Sequence, residues 1–272
     1  MRRRHRTGAG VTAPDLTGRV ALVTGAGRGL GRAMALGLAQ AGARVVATAA
    51  REAAELDAVA AEASGGIIAL VADVTKAPDA ARAVATALKR FGRLDILVNN
   101  AGRGMKYVSE RFPNEPTRFW ETDPDAWRLV IDANVNGPFL MARAAAPEML
   151  RGGWGRIVNI SMNHETMRRR GFSPYGPSKA ALESETIIWA QDLEGSGVTV
   201  NALLPGGATL TGMIPEGVDP ALRAKLIDPA VIVPPLLWLC SPQADGVTGK
   251  RLVATRWRDD SPEAATDNAG WP

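Results

Sequence analysis

The sequence predicts a single-domain α/β fold: a doubly wound, parallel sheet of seven strands with helices on both faces. Three observations predict it. Short, apolar, β-prone runs alternate with helical stretches along most of the 272 residues, and right-handed crossovers turn that order into a parallel sheet. The apolar runs are near-continuous, as strands buried on both sides require. A glycine-rich turn joins the first run to the first helix.

The elements follow in order. RVALVT (Arg19 to Thr24) is the first strand, and RAMALGLAQAG after the glycine turn is the first helix. ARVVATA (Ala43 to Ala49) is the second strand, and residues 52 to 63 have helical composition. GIIALVADV is the third strand; residues 77 to 91 form a helix that Gly92 closes. LDILVN (Leu94 to Asn99) is the fourth strand, and residues 124 to 150 hold a long helix. RIVNIS is the fifth strand, 177 to 194 another long helix, and VTVNALL the sixth strand. A helix near 230 to 240 precedes KRLVA, the seventh strand. Neither an internal repeat nor an interdomain linker interrupts this order. The expected organisation is a disordered basic tail over 1–14, the domain over 15–256, and a disordered polar tail over 257–272.

The totals exclude several classes. Hydrophobic content of 46% and charged content of 22% are those of a globular protein with a core. No apolar run reaches the ~18 residues of a membrane helix, and no apolar segment follows the basic start MRRRHRTGAG, so it does not read as a secretory signal. The formal charge is +4, but Arg2, Arg3, Arg4 and Arg6 supply all of that excess. The basic character belongs to the tail, and no nucleic-acid partner is expected. One cysteine, Cys240, excludes an intramolecular disulfide, and a reducing, cytoplasmic setting is the simplest expectation. His5 and His164 are the only histidines, so no metal site is expected.

The turn TGAGRGLG (Thr24 to Gly31) lies between a strand and a helix. Glycine permits a tight turn and close backbone approach to a pyrophosphate, and the helix directs its N-terminal amides at the negative charge. The spacing is Gly-x-x-x-Gly-x-Gly, with glycines at 25, 29 and 31. Further along, Tyr175 and Lys179 stand four residues apart in YGPSK, which puts a phenol and an ammonium on one helix face. A phenol beside a cation ionises more easily, which suits proton transfer.

These pieces occur in order with others: Asp73-Val74, NNAG at 99 to 102, Asn134 in DANVNG, and PGG at 205 to 207. Together they resemble the classical short-chain dehydrogenases/reductases over about residues 15 to 255. The resemblance implies a nicotinamide-dependent oxidoreductase on a Rossmann sheet, commonly a homodimer or homotetramer, interconverting a small-molecule ketone and a secondary alcohol. It implies that Gly25, Arg28, Gly29, Leu30, Gly31, Asp73, Val74, Asn100, Ala101, Gly102, Pro205 and Gly206 border the cofactor. Tyr175 would be the acid or base, Lys179 would support it and hold a ribose, and Asn134 would hold a water linking the lysine to solvent.

An acidic residue at the end of the second strand would favour NAD(H) by binding the ribose 2′-hydroxyl. That position is Ala49, and no carboxylate lies between Arg44 and Arg51. Arg28 and Arg51 are near instead, and a guanidinium suits a 2′-phosphate. NADP(H) is therefore favoured over NAD(H).

The resemblance also exposes a departure. Family members carry a Ser or Thr that donates a hydrogen bond to the substrate oxygen; thirteen residues before Tyr175 this chain has Met162, which has no donor. Ser161 is one place away and would face the other side of the strand unless the strand ends early or bulges. Asn163, His164 and Thr166 are the other nearby donors. Two functional readings stay open: a working oxidoreductase, or a cofactor-binding sensor or scaffold with little or no turnover. Gly102 to Asn134 spans 32 residues, and the aromatics Tyr107, Phe112, Phe119 and Trp120 within it could wall a substrate site. Met162, Asn163, His164, Phe119 and Trp120 are the substrate candidates. Arg168, Arg169 and Arg170 are either a solvated charge run or a meeting point for an anionic group.

Overall fold

The structure, a computed structural model, describes residues 14–215 and 218–270. The basic tail expected over 1–14 lies almost wholly outside the described residues. Strands β1 (Val20–Thr24), β2 (Arg44–Ala49) and β3 (Ile67–Val71) alternate with helices α1 (Gly29–Gln40), α2 (Ala53–Glu62) and α3 (Ala77–Phe91). Strand β4 (Ile96–Asn99) leads through two short 3-10 turns to α4 (Pro124–Ile131). A π turn over Asp132–Asn136 joins α4 to α5 (Gly137–Gly152), so the long helix expected from 124 is locally unwound at Asn134. Then come β5 (Gly155–Ile160), the single turn α6 (His164–Met167), α7 (Tyr175–Asp192) and β6 (Val198–Leu204). The chain ends with α8 (Pro220–Arg223), α9 (Val233–Leu239), β7 (Lys250–Val253) and β8 (Thr266–Asn268).

The sheet order is β3-β2-β1-β4-β5-β6-β7-β8. The pairings from β3 through β7 are parallel and β7–β8 is antiparallel. The order in which strands are added reverses between β1 and β4, so the carboxyl ends of these two parallel strands open a crevice there. The eighth strand corrects the expected seven and the polar, disordered C-terminal tail. Thr266 pairs with Leu252, Trp257 packs at a tilt against Trp238 with ring centroids 5.6 Å apart, and Ala265 and Ala269 are buried. Its residues, TDN, carry no apolar alternation, because an edge strand buries little of itself.

Two apolar layers hold the sheet. Met34, Leu38, Val45, Ile96 and Leu236 pack one face; Leu22, Val84, Leu97, Met141 and Val200 pack the other. Strands β1, β4, β5 and β6 are buried throughout, which is why β1 and β4 run apolar up to their last residue.

Candidate active site

The glycine turn is formed as its spacing predicts. Gly25 has φ +64°, in the left-handed region, and a Cβ on Gly31 would sit 2.0 Å from the Gly25 carbonyl oxygen. Asn100 locks the turn to β4: its Nδ2 donates to the Thr24 and Gly25 carbonyls at 2.8 and 3.0 Å. Thr24 Oγ1 in turn accepts the Asn100 and Ala101 N–H groups, both at 3.0 Å. The β1 and β4 ends are thus one rigid rim, beside a cleft of about 810 Å³.

That cleft is lined by Gly25, Arg28, Gly29, Leu30, Gly31 and Arg51, and by Asp73, Val74, Asn100, Ala101 and Gly102. Asp73 Oδ1 accepts from the Thr75 N–H and hydroxyl, at 3.0 and 2.8 Å. Pro205 and Gly206, after β6, line it as well. A sequence reading of β2 alone misses one group here: Glu55, on the first turn of α2, also lines the cleft and pairs with Arg28 at 3.4 Å. A carboxylate therefore stands beside the glycine turn although β2 ends without one. Arg51 has no ion pair among the described residues.

Tyr175 and Lys179 begin α7 and both line the cleft. The phenol points at the Met213 thioether, 4.0 Å away. Lys179 is only 4% exposed, and its Nζ donates to the Ile160 carbonyl at the end of β5, 2.7 Å away. Burial pushes the Tyr175 phenol up to about 12 and the Lys179 ammonium down to about 8, the latter partly offset by Glu183. Desolvation is what raises the phenol; the lowering expected from the sequence needs the positive nicotinamide as well as Lys179.

Asn134 is fully buried and does not line the cleft. Its Oδ1 accepts the Arg103 N–H at 2.8 Å; its Nδ2 donates to the Arg103 carbonyl at 3.0 Å and to Ser178 Oγ at 2.9 Å. With both amide protons used, its side chain braces the loop after β4 against α7 and offers no spare proton to a water.

The strand end at β5 settles where each donor candidate points. Met162 lines the cleft. Ser161 borders it, but its hydroxyl donates to Glu183 Oε1 at 2.5 Å, in the protein interior. Residue alternation at the strand end produces this, and no bulge rescues Ser161 as a substrate donor. Asn163 lines the cleft with its Nδ2 donating to the Gly206 carbonyl at 3.0 Å. His164 is turned from the cleft, its Nε2 3.0 Å from Glu183 Oε2. Thr166 lines the cleft, with no side-chain hydrogen bond among the described residues. Phe119 and Trp120 are not on the wall either: they are 69% and 67% exposed and pack edge to face on each other at 5.1 Å. Besides Tyr175, the wall aromatics are Tyr107, Phe112 and Phe172.

Residues 19–219 match the family model described as short chain dehydrogenase. The chain belongs to the short-chain dehydrogenases. A 3-oxoacyl-[acyl-carrier-protein] reductase from Synechocystis sp. is 41% identical to it over 194 residues, 70% of this chain and 74% of that protein. Among solved structures, a 3-ketoacyl-(acyl-carrier-protein) reductase from Brucella melitensis complexed with NADH superposes with a TM-score of 0.78 at 32% identity, covering 88% of this chain and 97% of that one. A Beutenbergia cavernae protein with bound NADP superposes at 0.75 with 33% identity, covering 88% and 96%. This dehydrogenase is accordingly a nicotinamide-dependent enzyme acting on CH–OH and C=O groups. None of its described helices is long and apolar enough to cross a membrane.

Behind the cleft, this dehydrogenase has a buried charge cluster that a motif search passes over. Glu183 (side chain 2% exposed) meets Arg251 (6%) at 3.3 Å, and Arg251 also donates to the Met162 carbonyl at 2.9 Å. The cluster joins α7, β7 and the end of β5 directly beneath Met162. Two signals for it lay in the sequence: an arginine inside the apolar run KRLVA, and a glutamate one turn after Lys179 on the same helix face.

Proposed function

We propose that this dehydrogenase interconverts a ketone and a secondary alcohol with NADP(H), and that Tyr175 passes the proton. The observation carrying the reading is the Tyr175 phenol at the cleft wall, one turn before a buried Lys179, in the same cleft as the glycine turn. The turn fits a dinucleotide because its glycines leave a cradle that a Cβ would fill. Its amides would hold the pyrophosphate, Asp73 and Val74 the adenine, Lys179 a ribose, and Pro205 and Gly206 the nicotinamide side. The chemistry such a cofactor supplies is hydride exchange at carbon, with a positive charge in its oxidised form.

Tyr175 stays protonated at neutral pH, so it is ready to donate to the oxygen of a ketone undergoing reduction. Lys179, tied to Ile160, stabilises negative charge on the phenol oxygen after donation. Met162 supplies no donor to the same substrate oxygen, and one missing donor commonly costs ~10²–10³ in rate. That supports a slow enzyme, or one in which Thr166 substitutes.

NADP(H) is supported by Ala49 at the end of β2 and by Arg51 standing without an ion pair among the described residues. Glu55 weighs against it by occupying Arg28. A homodimer or homotetramer is supported by exposed apolar residues on α4, α5 and α7: Trp127, Leu129, Phe139 and Ile188. The test is direct. NADPH and NADH are each incubated with a panel of aryl and alkyl ketones and their absorbance followed. Faster consumption of NADPH is expected; no consumption of either across the panel refutes the reading.

A further inference from the structure

We propose that the substrate half of the cleft takes a carbonyl compound with an apolar or aromatic body and an anionic group, a carboxylate or a phosphate. This rests on the oxidoreductase reading and names the substrate class of that site. The cleft is divided by charge. Its carboxylates, Glu52, Glu55 and Asp73, all come from the segments that follow β2 and β3. The lining segments that follow β4 and β5, the second of which carries Tyr175, include no aspartate or glutamate, but they include Arg103, Arg169 and Arg170. None of the three has an ion pair among the described residues.

Two of the guanidiniums lie on rings of the wall. Arg103 is 5.2 Å from the Tyr107 ring centroid, and Arg169 is 5.5 Å from that of Phe172. A ring beneath a guanidinium limits its freedom and leaves the donors on its edge available. Arg103 also starts from a fixed point, since the Asn134 side chain holds both its N–H and its carbonyl. A merely solvated charge run would leave the cavity untouched. Arg168 does stay off the wall, with its Nε donating to the His164 carbonyl at 3.3 Å. Arg169 and Arg170 do not. Positive charge of one sign in a walled cleft concentrates anions, and planar forks bind carboxylate and phosphate in two-point fashion. The remaining wall is apolar, with Met105, Met162, Met213 and Phe112, which suits a ring or acyl chain behind the anion.

The anion could be the substrate's own carboxylate or a phosphate of a thioester carrier. Calorimetric titration of the full chain, with NADP⁺ saturating, separates them. The first pair of probes is 4-benzoylbutyrate and its methyl ester. The second is acetoacetyl-CoA and the phosphate-free acetoacetyl thioester of N-acetylcysteamine. In at least one pair the anionic member binds about tenfold tighter, and that advantage falls at least about threefold in Arg103→Gln and in Arg169→Gln/Arg170→Gln. Preference in the first pair assigns the substrate carboxylate, and in the second the carrier phosphate. Equal affinities within both pairs, or a preference that all arginine variants retain while keeping the wild-type thermal midpoint, overturn the proposal. Because binding is read, a protein that selects the anion yet turns over no ketone would defeat only the oxidoreductase reading.

Discussion

Replacing Arg251 by methionine removes one member of the buried ion pair beneath Met162. Glu183 would keep the Ser161 hydroxyl, His164 and the nearby Lys179 ammonium but lose the guanidinium 3.3 Å away. At an effective dielectric of about 20, that separation corresponds to roughly 5 kcal/mol of attraction. Uncompensated buried charges of this kind commonly cost about 3–5 kcal/mol. The Met162 carbonyl loses its donor as well, which moves the loss toward the upper end of that range. For a chain of 272 residues the unfolding entropy is roughly 0.6 kcal/mol per degree, so the thermal midpoint falls by about 5–9 °C. Differential scanning fluorimetry reads it. A matched control, Arg118→Met, breaks a pair whose side chains are 61% and 60% exposed and moves the midpoint by less than about 1 °C. Arg251→Met/Glu183→Leu removes both members of the pair and recovers part of the loss. A shift under about 2 °C for Arg251→Met, or a double variant as unstable as the sum of the two singles, refutes the reasoning.

Three further outcomes are expected. Tyr175→Phe abolishes ketone reduction while dinucleotide affinity, read by fluorescence quenching, changes less than about threefold; retained turnover would remove Tyr175 from the chemistry. Met162→Ser places a hydroxyl on the cleft wall and raises kcat by about tenfold or more; an unchanged kcat would show that Thr166 or Asn163 already donates. Glu185 has a buried carboxyl oxygen with no hydrogen-bond partner among the described residues, and burial pushes its carboxyl up to about 7. A raised carboxyl value means the folded chain holds more protons than the unfolded one between pH 4.5 and about 7. Stability from this group is therefore full below pH 4.5 and lost as pH rises through 7. Glu185→Gln should raise the thermal midpoint at pH 8 but not at pH 4.5, and an equal shift at both would sink the assignment.

Local chemistry in the sequence determined the strands, the glycine turn and the positions of Tyr175 and Lys179. Each depends on short-range constraint: apolar runs that must be buried, glycines where no side chain fits, and a helix that aligns residues one turn apart. The eighth strand was not legible because an edge strand needs little apolar surface. Ser161 and Met162 were separable in principle by strand alternation, but whether the strand ran that far depended on β6 and α7. Only the tertiary structure put Glu55 beside Arg28, set Phe119 and Trp120 outside the cleft, turned His164 to Glu183, and brought Arg103 and Arg169 to one cavity. Those relations join residues far apart in the chain, and their geometry comes from how the sheet and helices pack.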